Sequence, residues 1–89
     1  MKVYLNGGIV DEREASIPVN DRGVLFGDGL FETIRAYRGR PFRLERHLER
    51  LRAGCRRLKI SYDAPAQEIG EAVSKLYGLN VVSGDAYVR

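Results

Sequence analysis

The chain has one cysteine, one histidine, one methionine and no tryptophan. The lone thiol, Cys55, has no internal partner, which excludes a disulfide framework and fits a reducing, cytoplasmic location. The lone histidine, His47, excludes a histidine metal cluster, and no metal is expected. No stretch approaches the roughly 18 consecutive apolar residues that a membrane-spanning helix needs. The opening Met1-Lys2-Val3-Tyr4-Leu5-Asn6-Gly7-Gly8 breaks its apolar run early, so a secretory signal peptide is not expected. Length is scarce too. The 89 residues hold one small domain, and a chain of this size buries only about 60–65% of its unfolded surface.

What is present is a globular composition, 44% hydrophobic and 30% charged. The net charge is +3, and the basic residues are twelve arginines against three lysines. Three readings of that bias are open: a solvated basic surface, an anion site suited to the guanidinium fork, and a nucleic-acid surface. The twelve acidic residues are interspersed with the arginines, which argues against nucleic acid.

Val3-Tyr4-Leu5 and Ile9-Val10 flank Asn6-Gly7, a hairpin signal because both central residues of a type I′ turn need positive φ. Residues 11–29 read as one long connection, and a connection of that length is usually functional. Leu30 to Tyr37 has strand propensity. Alternation puts Phe31, Thr33, Arg35 and Tyr37 on one face, with Leu30, Glu32, Ile34 and Ala36 on the core face. Glu32 on that face needs a partner, for which Arg50 and His47 are the candidates. Arg38-Gly39-Arg40 reads as a turn and Pro41-Phe42-Arg43 as a short edge strand.

Leu44, Leu48, Leu51, Cys55 and Leu58 form one apolar stripe, which predicts a helix from Leu44 to about Lys59. Arg43, His47, Arg50 and Gly54 share one flank of it, while Glu45, Glu49, Arg52 and Arg56 face away. A second helix is expected from near Pro65 to Tyr77, with Gly78 at its end and Ile69, Val73, Leu76 and Tyr77 on its buried side. Asp85 to Arg89 reads as a final strand. The fold expected is α+β, a two-layer small domain with a mostly antiparallel sheet packed against two helices. The glycines of Gly23–Gly29 fit neither a dinucleotide nor a P-loop spacing, and read more simply as a tight turn that aims Phe26.

Asp21-Arg22-Gly23, then Phe26-Gly27-Asp28-Gly29-Leu30-Phe31-Glu32-Thr33-Ile34-Arg35, then His47-Leu48-Glu49-Arg50-Leu51 together resemble the start of the class IV (fold type IV) pyridoxal-phosphate aminotransferases. That group includes branched-chain and D-amino-acid aminotransferases and aminodeoxychorismate lyases. The terminal Ala86-Tyr87-Val88-Arg89 is similar to the Ala-Tyr-Ile/Val-Arg strand of the branched-chain members. The resemblance runs through the whole chain and spans about the first third of such an enzyme. Residues 1–89 would then be the small N-terminal domain.

The resemblance implies a role for particular residues. Arg50 would bind the phosphate of pyridoxal 5′-phosphate. Phe31, Thr33 and Arg35 match a substrate-pocket wall, and Tyr87 and Arg89 match residues lining the pocket, where an arginine meets a substrate carboxylate. Phe26 matches a residue that reaches into the partner subunit's pocket in a homodimer. The partners implied are a small amino acid and a 2-oxo acid, with no membrane and no nucleic acid. Branched-chain members usually carry Gly where Thr33 stands, which leans toward the D-amino-acid or lyase branches, whereas Ala-Tyr-Val-Arg leans toward the branched-chain type, the reading adopted. The resemblance also implies that the Schiff-base lysine lies beyond residue 89. Lys2, Lys59 and Lys75 match no such position, so the 89-residue chain alone is expected to be inactive. The alternatives are a lyase on the same fold and a stand-alone basic α+β module that binds nucleic acid.

Overall fold

Two hairpins, each closed by a two-residue turn of positive φ, set the first strands. In the computed structural model, which describes residues 1–80 and 83–89, β1 (Lys2–Leu5) pairs antiparallel with β2 (Gly8–Asp11). Leu5 stands opposite Gly8 across Asn6 at φ 52° and Gly7 at φ 86°, as the type I′ pattern predicts. The second hairpin repeats the device. β3 (Ile34–Tyr37) and β4 (Arg40–Pro41) close across Arg38 at φ 52° and Gly39 at φ 84°.

β3 is shorter than its propensity suggests, because residues 30–33 lie outside any strand. Its other neighbour is β5 (Asp85–Val88), antiparallel, with Ile34 opposite Val88 and Arg35 opposite Tyr87. The strands therefore form two antiparallel sheets, β1-β2 and β4-β3-β5, not one. Pro41 sits on an edge strand, where its missing N–H breaks no interior ladder.

The long connection carries structure of its own. Asp11 and Glu14 make a capping box around a 3-10 turn, Glu12–Glu14. Asp21 caps a five-residue helix, α1 (Arg22–Phe26), which ends on Gly27 in the left-handed region. The segment read as a tight turn is thus a helical turn. α2 (Leu44–Leu58) follows its apolar stripe, with Leu48 and Cys55 buried and Leu58 exposed at the last turn, which Lys59 closes in the left-handed region. Arg52 does not face away as its helical position suggests. Its guanidinium donates to the Ala64 carbonyl at 2.8 Å and pins the connection to the next helix. α3 (Ala66–Leu79) begins after Pro65, which stands at the N-cap position without a capping side-chain bond, and runs past Gly78 to Asn80.

Asn80 ends α3 for a tertiary reason. Its side-chain amide accepts from the Lys2 backbone N–H at 2.6 Å and donates to the Lys2 carbonyl at 3.0 Å, pairing with β1 as a strand residue would. α3 packs on β1, β4 and α2. Ile34 and Ala36 from the sheet, Leu48 and Cys55 from α2, and Ala72 and Val73 from α3 make up the small buried core. Two close approaches shape what surrounds it. Gly39 leaves room for the Tyr77 ring, and its carbonyl accepts from Ser74 Oγ at 3.1 Å. Gly54 leaves a notch in α2 that Leu30 occupies.

Candidate functional site

Leu30 in the Gly54 notch delivers Glu32 to the same flank of α2. There the Glu32 side chain is only 10% exposed, between two basic groups. Arg50 donates to it twice, from Nε to Oε1 at 2.7 Å and from Nη2 to Oε2 at 2.6 Å. His47 Nδ1 lies 2.7 Å from Oε2, and since an ionised carboxylate only accepts, Nδ1 is the donor. These charge-assisted bonds hold the Glu32 carboxyl down to about 2, against the mild upward pull of burial. Glu32 in return raises the Arg50 pKa above its ordinary value. The bidentate geometry is the strong form of the pair.

Arg50 is 73% exposed even so. Its side chain lines an open concavity of about 560 Å³, together with Arg43, Arg46, His47 and Glu49. Three arginines line it: Arg46 and Arg50 on one side of α2 at about 100° per residue, and Arg43 at its N-cap, whose guanidinium lies 5.2 Å from the Phe42 ring centroid. Glu49 is the fourth charged residue of the lining, and Glu32 behind Arg50 is already engaged. The arrangement suits a multivalent oxyanion. Arg46 was not anticipated; the spacing of three and four residues that joins it to Arg43 and Arg50 is the signal that identifies it.

The residues expected on the substrate side gather on a second surface, the outer face of β3 and β5. Arg35 and Tyr87 are register partners, and the Arg35 guanidinium lies 5.7 Å from the Tyr87 ring centroid and 5.4 Å from that of Tyr37. Asp85 accepts from Arg35 Nη2 at 3.2 Å, the first cause of the raised Arg35 pKa. Arg89 places its guanidinium 4.2 Å over the Phe31 ring. Phe31 is 68% and Tyr87 74% exposed, so packing within this chain does not account for either ring. Thr33 is exposed just ahead of β3. Phe26 stands apart at the end of α1, exposed, with Arg22 4.8 Å over its ring. The structure brings Phe31 to Arg89 and Arg35 to Tyr87, while Phe26 stacks with Arg22 on α1 and Arg50 gathers with a different set.

The sequence profile of the family amino-transferase class IV matches residues 29–89, which include Glu32, the whole of α2 and the β3–β5 pair. The chain belongs to the class IV aminotransferases. Among class IV relatives, it is 43% identical over its full length to a Methanocaldococcus jannaschii protein provisionally named a branched-chain-amino-acid aminotransferase, and it covers 31% of that protein. It is 42% identical over 98% of its length to the aminodeoxychorismate lyase of Bacillus subtilis, covering 30% of it. A solved structure of a branched-chain aminotransferase from the archaeon Thermoproteus uzoniensis, with norvaline, matches 98% of the chain at a TM-score of 0.84 and 36% identity, over 31% of that protein. The chain thus spans about a third of the length of the class IV relatives it matches.

Proposed function

We propose that residues 1–89 serve as the N-terminal small domain of a pyridoxal-phosphate-dependent aminotransferase that moves an amino group between an amino acid, of branched-chain type, and a 2-oxo acid. The observation that carries this reading is Arg50, held by Glu32 with its outer edge at a concavity lined by two further arginines. That donor set fits a phosphate group: a fixed fork for bidentate contact and surplus positive charge around it. Pyridoxal phosphate, when bound, supplies the electron sink that makes bonds at an amino acid's α-carbon labile.

The chain's own residues would bind and orient. Arg50 anchors the phosphate. On the outer face, Arg89 has no carboxylate partner among the described residues, whereas Arg35 is already paired with Asp85. Arg89 is therefore the better candidate for a substrate carboxylate, with Arg35 holding the shape of the wall beside it. Phe31, Thr33 and Tyr87 form that wall and keep water from the substrate side chain. Phe26, exposed on α1, would cross to the pocket of the second subunit in a homodimer. A cytoplasmic enzyme agrees with the buried free thiol of Cys55.

None of the three lysines lines the concavity. Lys2 reaches toward Asp11, Lys59 caps α2, and Lys75 lies beside the hairpin. The 89-residue chain by itself is accordingly expected to show no turnover.

A lyase is the second reading, favoured by the nearly equal similarity to the Bacillus subtilis enzyme and by Thr33. The two are separated by incubating an enzyme that contains these residues with amino acid and 2-oxo acid and looking for amino-group exchange. Cofactor anchoring is tested by pyridoxal phosphate retention. Arg50→Ala should weaken it on the order of 10–100-fold, the equivalent of one or two charge-assisted hydrogen bonds. Arg50→Lys should recover only part, since a point charge replaces a fork. If both variants hold the cofactor like the parent, Arg50 is not the anchor.

A further inference from the structure

A carboxylate set between two basic groups and nearly withdrawn from water carries a desolvation cost, which its hydrogen bonds here outweigh. Replacing such a cluster by apolar side chains is often neutral or stabilising, so folding alone does not explain Glu32. The hydrogen-bond count does. A guanidinium has five N–H donors. Glu32 takes two of them, one on Nε and one on Nη2, along one side of the fork. The end-on edge, Nη1 with the remaining Nη2 hydrogen, makes no hydrogen bond among the described residues, and Arg50 lines the concavity. The same carboxylate accepts from His47 Nδ1, which leaves Nε2 of the neutral ring as an acceptor, and His47 lines the same concavity.

We propose that Glu32 is a positioning residue: it clamps the Arg50 guanidinium side-on so that the Nη1–Nη2 edge meets a phosphate group, and it holds His47 in the Nδ1-protonated tautomer. The proposal rests on the reading of Arg50 as a phosphate anchor. It also makes a prediction of sign. The negative charge of Glu32 repels an anion bound at Arg50, while its clamp orders the fork that binds one. If charge dominated, Glu32→Gln would tighten phosphate binding; the clamp requires the reverse.

The test uses inorganic phosphate titrated into the ¹⁵N-labelled full chain, followed at Arg50 Nε–H and at the His47 ring nitrogens, at a pH where the ring is neutral. The unsubstituted chain should show the Nδ1–H tautomer. Glu32→Gln should weaken phosphate binding roughly tenfold, as for one charge-assisted contact, and shift the ring toward the Nε2–H form. Unchanged or tighter binding in Glu32→Gln overturns the clamp. So does an Nε2–H tautomer in the unsubstituted chain, a measurement that stands even if Glu32→Gln does not fold. Arg50→Ala keeps the two readings apart. If it weakens phosphate binding while Glu32→Gln does not, the clamp alone fails. If Arg50→Ala changes nothing, or the unsubstituted chain gives no phosphate response, the anchor fails and the clamp with it.

Discussion

Leu30 lies so close to Gly54 that a Cβ at position 54 would stand 2.9 Å from its Cδ1 and 3.1 Å from its Cδ2. Those are the far ends of a half-exposed side chain, and a single methyl can be accommodated by turning it. A branched side chain cannot. Gly54→Val is expected to lift residues 30–32 from α2 at a cost of about 1–3 kcal/mol, the usual range for overpacking. Urea denaturation gives the stability, and the loss of the Glu32–His47 contact should appear in the His47 ring resonances. A variant as stable as the parent with those resonances unmoved would show that the notch does not place Glu32.

Acid should probe the same carboxylate from another side. Glu32 ionises at about 2 in the folded chain, against an ordinary 4.5. A depressed folded pKa contributes stability that is fully present above the ordinary value and is lost as the pH falls through about 2. Asp11 acts in the same direction, its carboxyl held down first by the Arg13 backbone N–H and then by the Arg13 side chain. Stability should therefore stay level near neutrality and decline below about pH 4.5. Glu32→Gln should show a shallower decline. A decline as steep as the parent's would place the acid sensitivity elsewhere.

The hairpins and α2 were legible because their signals are local. Asn6-Gly7 needs only its own φ angles, and the leucines of α2 need only their spacing. What was not legible depends on partners distant in sequence. Residues 30–33 carry strand propensity, yet the Ile34–Val88 pair is the last in the ladder, and Glu32 is drawn to α2 instead. Gly78 looks like a helix end, but α3 continues until Asn80 meets Lys2. In the site, Glu32's need for Arg50 or His47 followed from a charge on an apolar face; that it would take both, with Arg50 across its two oxygens and His47 sharing one of them, did not.

The Asn80 amide makes two hydrogen bonds to one backbone unit, at 2.6 and 3.0 Å. Asn80→Ala is expected to cost about 1–2 kcal/mol, two net hydrogen bonds at the usual value. Asn80→Asp should cost at least as much, since it keeps the acceptor and loses the donor facing the Lys2 carbonyl. The denaturation midpoint should fall with an unchanged slope. A midpoint like the parent's would mean that water replaces the amide without loss.

The outer face of β3 and β5 exposes Phe31, Tyr37 and Tyr87 together, with Phe42 edge-on to Tyr37 at 5.7 Å between ring centroids. Contiguous exposed apolar surface normally marks a contact site. The chain should bind a hydrophobic dye there, and Phe31→Ser with Tyr87→Ser should abolish most of that signal. Stability should change by less than about 0.5 kcal/mol per site, as for exposed positions generally. Full dye binding in the double variant would locate the apolar surface elsewhere, for instance around Phe26.

β3 finds its main partner in β5, and Lys2 bonds a residue 78 positions away. Closing loops of that length is slow, because the entropy of joining the ends is lost before any contact is gained. The two hairpins and the helices can form as the polypeptide leaves the ribosome, but β3 must wait for residues 85–88. Until they emerge, Ile34 and Ala36 have only the two-residue strand β4 beside them. The nascent chain thus carries an open strand edge from the emergence of β3 until that of β5, and its window of vulnerability to aggregation is set by the time taken to add the residues between them.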